Sequence, residues 1–336
     1  MLNLKQKRIA SALALLIFSL MSACGYGRGG VADKTPVEDV GQYAWTKVTD
    51  AASFPGSYNF PVFTVRDEMW AFHGTGNWRS KDGKVWTKSE LPSAGLNSGY
   101  QKYVQFKDSI YALGTMEGNY TNMRLTSRIA STDDFKRWKV VAERSELPGR
   151  VFYGALVFKD KIWLMGGFDG KNYYNDVWAS ADGVHWTRVI EHAGWSQRLI
   201  NAAVVFRDKM WIFGGGLIDG EPTDGRAERE VWSSADGITW TRVTDSFPRI
   251  WGSSPVVYDE KLWLVGANRD GQFTRAVLIS DDGIKWREQA APWSPRGGVA
   301  TWIFDNKLYM TGGKFSVTEN GNIKFIYSND VWYMKK

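Results

Sequence analysis

The amino-acid sequence predicts an all-β fold, and three observations lead to that prediction. The 336 residues include 35 glycines and 18 tryptophans, which suits short strands joined by glycine turns. After residue 23, no long heptad or 3.6-residue periodicity indicates a helix. Two sequence landmarks then return six times across residues 43–336. A four-stranded period of about 40–50 residues is typical of propeller blades, so the sequence predicts a six-bladed β-propeller.

The two landmarks are a tryptophan that ends an Asp-Gly phrase and an aromatic residue that follows a charged turn. "SADGVHWTRV" at 180–189 returns as "SADGITWTRV" at 234–243. The tryptophans are Trp45, Trp86, Trp138, Trp186, Trp240 and Trp286. The second landmark is Trp70, Tyr111, Trp163, Trp211, Trp263 and Tyr309, at spacings of 41, 52, 48, 52 and 46 residues. This regular spacing indicates six copies of one structural unit.

Each copy predicts four antiparallel strands. In the third copy these are "YGALVF", "IWLMGG", "DVWAS" and "HWTRV". The Asp-Gly pair before the last strand suits a hairpin that needs positive φ. The apolar run "IWLM" suits a strand that is buried on both faces. We expect the repeated phrase to be the outer strand, with its tryptophan packed on the neighbouring sheet.

The two ends of the repeat region predict how the ring closes. The sixth copy ends after "NDVWYMKK" without a fourth strand, whereas "YAWTKV" at 43–48 is a fourth strand with no blade before it. We therefore expect strand 43–48 to be the outermost strand of the sixth blade, which leaves no blade incomplete.

The order of motifs within the copies resembles that of the kelch family. The double glycines at 166–167, 214–215 and 312–313 are followed by "NDVW", "REVW" and "NDVW" and, in the first two, by the outer-strand tryptophan. Copies one, two and five depart from it, with "HGTG", "LGTM" and "VGAN". The resemblance implies a kelch-type six-bladed propeller over 43–336. Kelch propellers include binding scaffolds, sugar isomerases and copper oxidases, so the fold does not select a function.

The N-terminus predicts export and lipid attachment. Residues 1–23 combine a basic start, an apolar run and small residues, as signal peptides do. "MSAC" resembles the lipobox of bacterial lipoproteins, which implies cleavage before Cys24 and diacylation of its thiol. An ordinary secretory signal is the alternative. Residues 24–42 predict a flexible tether. By resemblance to bacterial sorting signals, Gly25 favours the outer membrane, with its periplasmic or surface side left open.

Charge and cysteine count limit the partners. Removal of 1–23 takes away three positive charges, so the net charge of +6 falls to +3 and nucleic acid is not an expected partner. Cys24 is the only cysteine, so the exported chain has no intramolecular disulfide and its core must supply the stability. We expect a monomeric propeller held to the membrane by its lipid.

Candidate ligand-binding residues lie on the face formed by the 2–3 and 4–1 connections, which carries the long inserts. Arginines precede the first strand of four copies, and guanidinium groups there would bind a carboxylate; alternatively, they bridge loop carbonyls or acids of the blades. Aromatic rings beside them would stack on a sugar, or would seal adjacent blades. The candidates are Arg150, Arg198, Arg249, Arg296, Tyr153, Trp195, Trp251 and Trp293.

The sequence favours a binding protein over an enzyme without settling the question. Only three histidines are present, so we expect no metal site and no cofactor. Kelch-type copper-radical oxidases need a cysteine joined to tyrosine, and Cys24 lies outside the propeller. We expect an anchored envelope protein that recognises a glycan or a protein partner. The alternative is an exported sugar-acid enzyme of the sialic-acid mutarotase type.

Overall fold

A computed structural model describes residues 43–92, 102–114, 116–117, 124–200, 202–217, 229–269, 272–319 and 322–336. The predicted signal peptide, Cys24 and the predicted tether lie outside these residues. Six antiparallel sheets, each with four main strands, form a ring. The predicted six-bladed β-propeller is therefore confirmed.

The strands follow the predicted order within each blade. Blade 1 contains β2 (Val62–Val65), β3 (Glu68–His73), β4 (Gly76–Ser80) and β5 (Thr87–Lys88). Blade 2 contains β6 (Lys102–Phe106), β7 (Ser109–Leu113), β10 (Ile129–Thr132) and β11 (Lys139–Ala142), beside the hairpin of β8 (Met116–Glu117) and β9 (Arg124–Leu125). Blade 3 contains β12 (Gly154–Phe158), β13 (Lys161–Phe168), β14 (Tyr173–Ser180) and β15 (Thr187–Ile190). Blade 4 contains β16 (Ala202–Phe206), β17 (Lys209–Phe213), β18 (Val231–Ser234) and β19 (Thr241–Thr244). Blade 5 contains β21 (Ser254–Tyr258), β22 (Lys261–Arg269), β23 (Gln272–Ser280) and β24 (Arg287–Ala290), with β20 (Ile250–Trp251) paired to β22. Blade 6 contains β25 (Gly297–Phe304), β26 (Lys307–Glu319) and β28 (Val331–Lys335), with β27 (Asn322–Tyr327) paired to β26.

The N-terminal strand closes the ring. Strand β1 (Ala44–Thr49) pairs antiparallel with β28, and Trp45 lies opposite Met334. The strand order in this sheet is β25, β26, β28, β1. The prediction that the N-terminus supplies the outer strand of blade 6 is confirmed, with the strand shifted by one residue.

In blades 2, 3, 4 and 6, the aromatic landmark on the second strand contacts the glycine of the 3–4 turn in the next blade. A Cβ on Gly237 of blade 4 would lie only 2.2 Å from Cη2 of Trp163 in blade 3, and Gly237 has φ of +79°. Tyr111 takes the same position against Gly183, and Trp211 against Gly283. Where a tryptophan or tyrosine ring lies this close to the turn, glycine suits both the positive φ and the lack of space. Blade 2 instead has Phe135, with φ of 57°, and its ring packs against Trp70 of blade 1. The Asp-Gly pair therefore recurs where the turn forms part of a close blade interface.

Side chains within each 3–4 turn satisfy its backbone. In blade 4, Gly237 N–H donates to Ser234 Oγ at 2.8 Å, and Asp236 Oδ1 accepts from Ile238 and Thr239 N–H at 2.8 and 2.7 Å. The N–H groups of Thr239 and Ile238 lower the pKa of Asp236 to about 2. The turn is thus a rigid structural element. Trp240, which ends the repeated phrase, packs against the core between blades 3 and 4, as the sequence predicts.

The propeller has two different faces. We call the face formed by the 1–2 hairpins and the 3–4 turns the short-turn face; its 1–2 hairpins turn through two residues, such as Lys159 and Asp160 with φ of 47° and 53°. We call the opposite face, formed by the 2–3 and 4–1 connections, the loop face. Within the described ranges, no helix is long and apolar enough to cross a membrane.

Candidate functional site

Three of the predicted arginines form buried ion pairs within their own blades. Arg150 Nη1 lies 2.6 Å from Asp176 Oδ1, and its Nη2 lies 3.0 Å from Oδ2. Arg198 Nη2 lies 2.6 Å from Glu230 Oε2. Arg296 pairs with Asp330 through both Nη1 and Nη2. Each of these arginines also donates to the carbonyl of the first glycine of its double glycine, Gly166, Gly214 and Gly312.

The "NDVW" motif on the third strand completes this arrangement. In blade 3, Asn175 Nδ2 donates to Ala193 O at 3.1 Å and to Trp195 O at 2.9 Å, which holds the 4–1 connection. Asp176 accepts from Arg150 and from the indole N–H of Trp178 at 2.8 Å. Blade 6 repeats the arrangement, with Asn329 bonded to Ala52 O and Phe54 O. The motif therefore fixes the loop face, and its charged groups are satisfied inside the blade.

The arginine ring predicted to bind an anion is thus used for structure in blades 3, 4 and 6. The side chains of Arg150 and Arg198 are each 1% exposed and already bind an acid and backbone carbonyls, so these guanidinium groups have little capacity left for a ligand. Blade 5 differs, because Ile250 and Ala276 stand where blade 3 has Arg150 and Asp176. Arg249 precedes Ile250 by one residue and is exposed. Arg150, Arg198 and Arg296 therefore bridge acids and carbonyls of their own blades, which is the structural alternative given for them.

The predicted aromatic residues mostly lie between blades. Trp195 is 1% exposed and contacts Trp240 edge to face at 4.8 Å between ring centroids. Trp293 is 3% exposed and contacts Trp45 in the same way at 4.5 Å. Tyr153 is fully buried, and its hydroxyl donates to Leu113 O of blade 2 at 3.1 Å. These three side chains seal blade interfaces. Trp251 belongs to β20, and its side chain lies outside what the structure describes.

An open groove of about 480 Å³ lies on the loop face of blade 3. Its walls come from the 2–3 connection, the start of β14, β15 and the 4–1 connection. The lining residues that present exposed or half-buried side chains are Lys171, Asn172, Tyr173, Tyr174, Arg188, Glu191, His192 and Gln197. The groove therefore offers phenol rings, amides, an imidazole and both signs of charge within one concave surface.

Local bonds hold the groove in shape. Asp169 Oδ1 accepts from Lys171 N–H at 2.8 Å and Asn172 N–H at 2.6 Å, which closes the 2–3 connection as an Asx turn. Tyr174 donates to Asp169 Oδ2 at 2.5 Å, and the Arg150 guanidinium lies 4.2 Å from the centre of its ring. Burial and the bond to Asp169 raise the pKa of the Tyr174 hydroxyl, so it stays protonated at neutral pH.

The opposite wall of the groove is tied to the same strand. His192 Nδ1 lies 3.2 Å from Asn175 Oδ1, while Asn175 also holds the backbone of the 4–1 connection. Arg188 and Glu191 form an exposed ion pair at 3.0 Å on the rim. Neither rim charge is buried, so both can exchange this pairing for a ligand at little cost.

The groove lies on the loop face, where the sequence predicts a ligand site, but its lining residues are not among the predicted candidates. The signal that could have found them is the insert "FDGKNYYN", which brings two adjacent tyrosines to the loop face. The insert forms the groove only together with the 4–1 connection, which lies beside it in the fold.

A second feature of the loop face is a lysine between two aromatic rings. Lys314 Nζ lies 4.4 Å from the ring centre of Tyr58 and 4.8 Å from that of Phe325. Burial lowers the pKa of the Lys314 ammonium to about 8. The rings compensate part of the lost hydration of the charged form.

The histidines lie in different surroundings. His73 is 4% exposed among Phe54 and Phe60, and burial lowers its pKa to about 4. His185 is exposed on the short-turn face and bonds to Asp182. Across the part of the chain that the structure describes, no group of three His, Cys, Asp or Glu side chains is placed to hold a metal ion.

The ring and the groove define a β-propeller protein with a concave polar surface on its loop face. Residues 26–248 match the family model described as the DUF6242 beta propeller domain, and the chain belongs to this family. Many solved chains match its fold. One is the protein of "Structure of YjhT", with a TM-score of 0.67 and 13% identity over 86% of this chain and 97% of that chain. At this identity the likeness concerns the fold alone. No curated protein matches the chain.

Proposed function

We propose that this protein is a binding protein of the bacterial cell envelope that recognises a glycan through the groove of blade 3. In this proposal, cleavage after residue 23 exposes Cys24, and the lipid on its thiol holds the propeller at the membrane, with the outer membrane favoured. A protein partner on the same loop face is the other outcome that the tests below distinguish.

The groove is the observation that carries the glycan proposal. Sugars present apolar ring faces bordered by hydroxyl groups, so their sites combine aromatic rings with convergent donors and acceptors. Tyr173 and Tyr174 supply half-buried rings, and Asn172, His192 and Gln197 supply polar groups. The Asx turn and the Asn175 bonds keep this surface formed without a ligand, which lowers the entropic cost of binding.

We also propose that the propeller is of the kelch type. Support comes from a repeated role for its motif residues. In blades 3, 4 and 6, the first glycine of the doublet accepts from an arginine that pairs with the acid of "NDVW" or "REVW". A Cβ on Gly215 would lie 2.2 Å from Leu199 O, so the second glycine is required by close backbone approach.

The second candidate is a sugar-acid enzyme of the mutarotase type. The arginines at the loop face would favour this candidate, but three of their side chains are engaged by acids. A sugar acid in the blade 3 groove would instead pair its carboxylate with Lys171 or Arg188. This candidate therefore predicts a preference for acidic over neutral sugars at the same site.

Thermal unfolding with a panel of neutral oligosaccharides and sugar acids tests both candidates. A ligand at 100 times its Kd stabilises the folded chain by about 2.7 kcal/mol, which a melting curve resolves. Tyr173→Ala should abolish the shift. Tyr327→Ala is the matched control, because Tyr327 is 41% exposed on the loop face in β27, outside the groove.

The outcomes separate the alternatives. A shift with neutral glycans that is lost in Tyr173→Ala supports the glycan proposal. A shift restricted to sugar acids, together with faster anomer exchange by NMR, supports the enzyme. A shift that survives Tyr173→Ala contradicts the groove as the site, and no shift with any sugar contradicts glycan recognition and leaves the protein partner.

A further inference from the structure

The described chain enters and leaves the propeller on the short-turn face. Tyr43, which precedes β1, donates its hydroxyl to Asp259 in the 1–2 hairpin of blade 5. Lys336 Nζ lies 3.4 Å from the same carboxylate. A tether that joins Cys24 to Tyr43 therefore starts from the short-turn face, opposite the groove of blade 3.

The same face presents apolar side chains on rigid turns. Val85, Ile238 and Ile284 are 63%, 60% and 48% exposed, and each lies in a 3–4 turn, in blades 1, 4 and 5. Their backbone N–H groups donate to the aspartate of the turn at 2.8 to 2.9 Å. Of the described residues, only Val140 and Tyr327 are other large apolar side chains with such exposure.

Lysines stand next to two of these apolar residues. Lys84 precedes Val85, and Lys285 follows Ile284. The carboxylates of Asp82 and Asp282 in these turns are occupied by backbone N–H groups. An apolar side chain beside an ammonium group suits the headgroup region of a phospholipid membrane, where the first enters the acyl boundary and the second reaches phosphate.

We propose that the short-turn face lies against the membrane surface and that the loop face, with the groove of blade 3, points away from it. This inference rests on the proposed lipid anchor at Cys24. Strand β1 begins at the short-turn face and ends about 20 Å away at the loop face, so the described chain begins at the short-turn face.

Site-specific quenching tests the orientation in the full lipidated chain. Because Cys24 is the only cysteine and carries the lipid in this proposal, an introduced cysteine is the single free thiol. Ile238→Cys places a fluorophore on the short-turn face. Thr318→Cys is the matched control, exposed on the β26 hairpin of the loop face. The labelled proteins are reconstituted in phosphatidylethanolamine and phosphatidylglycerol vesicles that contain nitroxide lipids.

We expect nitroxide lipids to quench the label at residue 238 at least twofold more than the label at residue 318. Replacement of Val85 and Ile284 by serine should reduce this difference. Equal quenching, or stronger quenching at 318, overturns the orientation although the chain floats with the vesicles. Failure to float overturns the anchor itself, so the two failures are distinguishable. Equal quenching would also be the result if this face binds a protein instead of lipid.

Discussion

Removal of the acid from one buried ion pair should destabilise the propeller strongly, and the chain itself contains the compensating change. Asp176→Ala leaves Arg150, whose side chain is 1% exposed, without its carboxylate. Uncompensated burial of one charge costs about 3–5 kcal/mol of unfolding free energy. Trp178 also loses the acceptor for its indole N–H, which adds to the cost.

Blade 5 shows which second change should restore stability. There, Ile250 and Ala276 stand in place of the arginine and the acid, and Ile250 is buried in the core between blades 4 and 5. We therefore expect Arg150→Ile combined with Asp176→Ala to recover most of the lost stability, because no charge remains buried. The coupling energy of the double-mutant cycle should reach at least about 2 kcal/mol.

Urea unfolding followed by tryptophan fluorescence measures the four members of this cycle. Glu191→Ala is the control, because it breaks the pair of Arg188 and Glu191, whose side chains are 46% and 63% exposed. That loss should stay below about 1 kcal/mol. A cost for Asp176→Ala as small as that of the control, or a double variant as unstable as the sum of the single variants, would refute the structural role of the pair.

Three further predictions concern the ring and its pH dependence. Gly237→Ala should lower the free energy of unfolding by about 1–3 kcal/mol, because its Cβ meets Trp163 at positive φ. Gly170→Ala is the control, since Gly170 has φ of +95° but no atom closer than 4.0 Å, and it should cost less in the same melting assay. Equal losses would contradict the interface argument. The pKa of His73 is lower in the folded chain than in the unfolded chain, so the stability it contributes is complete above pH 6.5. About 3 kcal/mol of unfolding free energy should be lost as the pH falls to 4. His73→Phe should flatten this part of the stability profile, and an unchanged slope would exclude His73 as its origin. Truncation through residue 49 removes β1, so it should lower the melting temperature and cause association through the exposed edge of β28. Truncation through residue 42 keeps β1 and should have neither effect. Equal behaviour of the two variants in size-exclusion chromatography would contradict ring closure by β1.

The repeat and the ring closure were predictable because they depend on local chemistry. Asp-Gly turns, strand-two aromatics and the unmatched strand at the N-terminus are visible in sequence order. Their reason became clear in the structure, where Gly237 of one blade contacts Trp163 of the preceding blade. The period thus reflects contacts between blades as well as turns within them.

The arginines show what a pattern leaves undecided. Their position before the first strand was predicted, but their partners lie 26 to 34 residues later on the third strand. The acids were present in "NDVW" and "REVW", and their absence from the corresponding "RAVL" at 275–278 of blade 5 distinguishes Arg249 from the others. Burial of a charge depends on that pairing, which the spacing of arginines alone does not report.

The groove of blade 3 could not be predicted residue by residue. It forms between the 2–3 and 4–1 connections, which are separated in sequence and meet because Asn175 binds the backbone at Ala193 and Trp195. Concavity is a property of both segments together. The sequence indicated only that long inserts share one face.

Hydrogen exchange with and without envelope glycans tests the central claim, recognition by the loop face of blade 3, most directly. Amide exchange is slowed where a ligand covers or stiffens the backbone. We predict protection in residues 168–176 and 188–197, and its loss in Tyr173→Ala. Protection confined to the 1–2 hairpins and 3–4 turns, with unchanged exchange around Tyr173, would contradict the account.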